Sequence, residues 1–139
     1  MSLPSLQKAT SAANLRVVSV KVAVADTVID TTGALVSAKA INTNGFVIAT
    51  LPAKAVVTGL QVSSVSGAGS ATVAVAVGAT TVRAAATLAA GVAVSAVTGV
   101  AAPTTSPTDV KVTVASGAVD RDYTVAIQYY LADAADVVL

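Results

Sequence analysis

The sequence predicts an all-β fold, a jelly roll or β-sandwich of about eight antiparallel strands. Three observations carry this expectation. From Val18 to Leu131 valine alternates with small or polar residues, which sends every second side chain to one face of a strand. Clusters of Gly, Asn, Asp, Pro and Ser interrupt that rhythm every ten residues or so, the spacing of short strands joined by turns. The chain is 55% hydrophobic but only 3% aromatic, so valine and alanine must fill the core.

Residues 1–14 are polar and without period, and read as an N-terminal arm; residues 15–139 read as one domain. The first strand covers about Leu15 to Ala25, with Val18, Val20, Val22 and Val24 on one face and Ser19 and Lys21 on the other. Asp30-Thr-Thr-Gly33 supplies a turn, Ala34 to Ile41 a weaker strand, and Asn44-Gly45 the pattern of a tight turn. Strands over Phe46 to Leu51 and Ala55 to Val65 are separated by Pro52, which cannot donate to a ladder and so marks a corner. Ser66 to Ser70 is a turn by composition, and Thr72 to Val77 the returning strand of a hairpin. Thr80 to Ala90 is extended or loop, since Ala85, Leu88 and Ala89 also suit a short helix. Val92 to Thr98 is a further strand, and Gly99 to Thr108 a loop. Val110, Val112 and Val114 then share a face, as do Tyr123, Val125, Ile127, Tyr129 and Leu131 in the last strand.

Composition excludes most chemistry. The chain has no histidine and no cysteine, which removes Ser-His-Asp triads, Cys-His pairs, zinc sites with those ligands and disulfides. No cofactor and no enzymatic activity is expected. Eight basic and seven acidic residues give a net charge of +1; the basic residues stand singly, without interleaved aromatics, so no nucleic-acid partner is expected. Ala84 to Thr108 is uncharged and long enough to span a membrane, but Pro103, Pro107 and its small-residue content favour sheet and loop over a membrane helix. No secretory signal is visible, so synthesis in a cytoplasm is the default.

Some side chains invite a functional reading. Asp120 and Asp122 flank Arg121 and could share a face toward a cation, but no dense aspartate loop accompanies them and a solvated turn is the simpler reading. Gly67-Ala-Gly69 resembles part of a phosphate loop, yet no lysine or helix start follows, so it reads as a hairpin turn. Tyr129 and Tyr130 are adjacent and must point to opposite faces, one toward the core and one toward solvent or a partner. With Leu3 and Leu6 of the arm they are the candidate interface residues.

Leu51-Pro-Ala-Lys-Ala-Val-Val-Thr-Gly-Leu-Gln-Val62 resembles a segment common in small structural proteins of tailed bacteriophages. Pro107-Thr-Asp-Val-Lys-Val-Thr-Val114 with Tyr123 to Leu131 resembles the closing hairpin of the same proteins. The resemblance implies a capsid decoration or cement protein on the outer surface of the phage head, made in a bacterial cytoplasm. It further implies binding to major capsid protein subunits and self-association, a homodimer being favoured over a trimer. The competing reading is a receptor- or sugar-binding sandwich of a fibre or tail, for which Phe46 and three tyrosines are a thin supply of stacking rings.

Overall fold

A computed structural model describes residues 15–64, 71–88, 91–95 and 105–131. The described elements are ten strands: β1 (Arg16–Val22), β2 (Thr27–Ile29), β3 (Leu35–Ser37), β4 (Asn42–Leu51), β5 (Ala55–Ser64), β6 (Thr72–Val77), β7 (Thr80–Thr87), β8 (Gly91–Ser95), β9 (Thr108–Ala115) and β10 (Tyr123–Leu131). Eight of them form two four-stranded antiparallel sheets, one in the order β1-β10-β5-β8 and the other β4-β9-β6-β7; β2 and β3 make a separate hairpin. Leaving that hairpin aside, the pairs β1 with β10, β4 with β9, β5 with β8 and β6 with β7 are nested from the ends inward. One long hairpin folded over on itself gives this scheme, and it is the strand order of a jelly roll.

The inner faces interdigitate in one core. Val73, Val75 and Val77 of β6, Val110, Val112 and Val114 of β9, and Tyr123, Val125, Ile127 and Tyr129 of β10 are all buried, alternating with half-buried residues. Of 21 buried apolar residues among those described, eleven are valine and three are alanine (Ala38, Ala55, Ala71). Valine is therefore the commonest core residue, with Tyr123, Phe46, Leu51, Leu60 and Ile127 as the largest fully buried side chains, while Ala74, Ala76 and Ala126 fall on the alternate, outward positions.

Several expectations are corrected. Asn44-Gly45 is no hairpin turn: β4 runs through it, with a register break between Asn42 and Phe46. Asn42 Oδ1 accepts from the N–H groups of Asn44 and Gly45, both at 3.0 Å, and Gly45 takes φ +84°, so the extra residues form a bulge. A Cβ there would stand 2.7 Å from Lys111 Cγ, which leaves only glycine. β6 does not return beside β5, because the two lie in opposite sheets; its hairpin partner is β7, joined through Gly78 (φ +58°) and Ala79. The supposed closing hairpin is likewise divided, β9 lying between β4 and β6 and β10 between β1 and β5. Pro52 does mark a corner, where the chain passes from one sheet to the other. Among the described residues no helix is long and apolar enough to cross a membrane.

Candidate interaction surfaces

The β2–β3 hairpin is tied to the edge of β4. Asp30 Oδ1 accepts from the Thr32 N–H (2.8 Å), the Thr32 hydroxyl and the Ala34 N–H (3.1 Å), closing the turn. The Thr32 hydroxyl and these backbone donors hold the Asp30 carboxyl below its ordinary range against the opposing effect of burial. The Asn42 side chain adds a smaller share, although among the described residues its amide nitrogen has no partner of good geometry. Asp30 also bridges Phe46, and the Thr31 N–H donates to the Gly45 carbonyl (2.9 Å).

This attachment builds an exposed apolar row. Ile29 pairs with Leu35, and one step from the Asp30–Phe46 bridge it stands beside Val47. Ile29 is 64% exposed, Leu35 71% and Val47 43%, so the row extends the outer face of the β4-β9-β6-β7 sheet with three large side chains in water. Behind it, between the edges of β1 and β4, opens a cleft of about 190 Å³ lined by Val20, Val22, Val28, Phe46 and Ile48, with Lys21 and Asp26 also on its wall.

The outer face of the other sheet is different. Its register places Ser19, Ala126 and Gln61 in one row, Val17, Gln128 and Gly59 in the next, and Lys21, Thr124 and Ser63 on the other side. Continuing by one step sets Leu15 opposite Tyr130, whose neighbour on β5 is Val56. Gln128 lies down over Gly59, its Oε1 only 2.9 Å from where a Cβ would stand, so the face has little relief. Lys21, its one charge on these three strands, pairs with Asp122 at 3.5 Å.

The tyrosines divide as expected: Tyr129 is in the core and Tyr130 is 39% exposed. Leu3, Leu6 and Gly67-Ala-Gly69 lie outside the described residues. Asp120 and Asp122 are not brought together on a ligand. Asp120 grips Arg121 with both oxygens at 2.6 Å, and Asp122 Oδ1 accepts the Val24 N–H at 2.9 Å. Among the described residues no three or more metal-ligating side chains gather. Sequence reasoning missed the Ile29–Leu35–Val47 row because it depends on a bridge between a hairpin and an edge strand; the turn Asp30-Thr-Thr-Gly33 was its only local sign.

No protein-family model matches the chain, and no curated protein matches it. Among solved structures, it is similar to a chain of the "Cyanophage Pam1 capsid asymmetric unit". The likeness covers 85% of each chain with a TM-score of 0.56 and 23% identity. At that identity the likeness is one of fold.

Proposed function

We propose that this chain is a non-catalytic structural protein of a phage virion, which decorates the outer surface of the head and cements it by bridging major capsid protein subunits. The observation that carries the reading is the likeness in fold, over most of both chains, to a chain of a phage capsid. The surfaces agree with it. A cement protein needs no reactive side chains; it needs apolar contact area, and the exposed Ile29, Leu35 and Val47 provide an anchor row for a capsid partner. Bridging also needs a second attachment, which self-association as a homodimer supplies by presenting two such rows from one particle.

The test is co-sedimentation of the purified chain with heads assembled from the capsid protein of the same genome. Saturable binding at fixed stoichiometry is expected, weakened at least tenfold by Ile29→Ser combined with Leu35→Ser, two exposed positions whose change leaves the fold intact. Absence of binding would overturn the reading and favour a receptor- or sugar-binding sandwich of a fibre.

A further inference from the structure

We infer that the outer face of the β1-β10-β5-β8 sheet is the contact between two copies of this chain, packed face to face across a two-fold axis with Tyr130 as its anchor. The inference rests on the homodimer in the functional reading and assigns it a surface.

Charge favours this face. A two-fold contact sets the residues nearest its axis against their own copies, so a charge in the middle of the patch meets a like charge. On β1, β10 and β5 the rows from Leu15/Tyr130/Val56 through Val17/Gln128/Gly59 to Ser19/Ala126/Gln61 are neutral. Only at the far end does Lys21 appear, already answered by Asp122. The opposite sheet is less suited, because Asp109 and Lys111 stand on β9 at its centre.

Area and relief also favour it. Strands of seven, nine, ten and five residues, about 4.8 Å apart and rising about 3.3 Å per residue, present on the order of 490 Å² of flat face, more when its corrugation is counted; a specific interface needs roughly 600–1,000 Å² from each partner. Relief is low, since Gln128 lies over Gly59 and its neighbours are Ser, Ala and Thr, so two such faces approach closely. At one end Leu15 (44% exposed), Val17 (62%) and Tyr130 (39%) form an apolar cluster with an aromatic ring, the composition of an interface centre rather than of free surface.

Sedimentation velocity over a hundredfold concentration range tests this. The native chain is expected to run as a dimer that dissociates on dilution. Ala126→Arg, which sets two cations against each other at mid-face, is expected to weaken dimerisation at least a hundredfold, and Tyr130→Ser at least tenfold. Thr113→Arg on the opposite sheet's outer face is the control and should leave the dimer intact, each variant's Tm confirming that it folds. A chain that stays monomeric throughout, a dimer indifferent to Ala126→Arg, or a dimer lost in Thr113→Arg would each overturn the inference. Head binding is read separately, so a monomer that still binds heads sinks this assignment and not the virion reading.

Discussion

The two flanks of the sandwich solve one problem by different means. Every open sheet ends in strands whose unpaired backbone groups invite pairing with another chain. On the first flank β4 is covered in part by the β2–β3 hairpin, through the Asp30–Phe46 bridge and the Thr31 bond, while β1 carries Arg16 and Lys21. On the second flank, among the described residues, no hairpin covers β7, which has a single charged residue, Arg83, turned inward. Its protection is irregularity. The register against β6 slips twice, and at those slips Arg83 donates to the carbonyl oxygens of Val73, Ala86 and Thr87. Both β4 and β7 carry register slips; charge and cover are added on the first flank, a buried guanidinium on the second.

The largest effect is expected where that second device is removed. Arg83→Met keeps length and apolar bulk but leaves buried carbonyl oxygens without their donor, at a cost of about 1–3 kcal/mol. Burial lowers the pKa of Arg83, with Tyr123 beside it acting in the opposite sense, so these bonds help to offset the cost of a charge held inside the protein. Tyr123 is itself pushed well above the ordinary phenol range by burial, and among the described residues its hydroxyl finds no hydrogen-bond partner. Denaturant unfolding of Arg83→Met should show the loss, with the bulged edge becoming prone to aggregate. Unchanged stability would mean that the bulge holds its shape without the arginine.

Sequence reasoning reads these flanks unequally. Strand existence and facing were legible because alternation is local: Val73, Val75 and Val77, or Tyr123 to Tyr129, state their burial by parity alone. Pairing was not, because a jelly roll joins strands far apart in the chain, and the composition-based turn at 66–70 made β5 and β6 look like a hairpin. Gly78-Ala79, a two-residue connection with glycine first, was the better hairpin signal. The bulge at Asn44-Gly45 shares its sequence signature with a tight turn, and only the partner residues Lys111 and Thr113 decide between them. Of the candidate site, Tyr130 was legible by parity with Tyr129; Leu15, Val17 and Val56 around it required the register.

The hairpin on the first flank gives a smaller effect with a sign fixed by pH. Because the folded-state carboxyl of Asp30 titrates below its ordinary value of 3.8, its contribution is fully present above that value and is lost as pH falls through the folded pKa. Asp30→Asn should therefore melt a few degrees below the native chain at neutral pH, and the gap should close in acid. Asp120 and Asp122 are also held low, by Arg121 and by the Val24 N–H respectively, but both proteins share them and they cancel in the difference. A gap constant from pH 7 to pH 2 would show that the turn depends on shape and not on the carboxylate's charge.

The smallest stability effect tests what the charges on β1 are for. The Lys21–Asp122 pair is solvent-exposed, with side-chain exposures of 67% and 41%, and pairs of this kind are worth about 0–1 kcal/mol. Arg16→Ser with Lys21→Ser should accordingly leave Tm nearly unchanged. Association is where it should show. An edge stripped of its cations can pair with its own copy, and a second two-fold contact added to a face-to-face dimer generates open chains rather than a closed particle. Species larger than a dimer are thus expected on sedimentation at high concentration. If none form, the hairpin beside β4 and not the cations guards this flank, and the two flanks would then be alike in relying on backbone geometry.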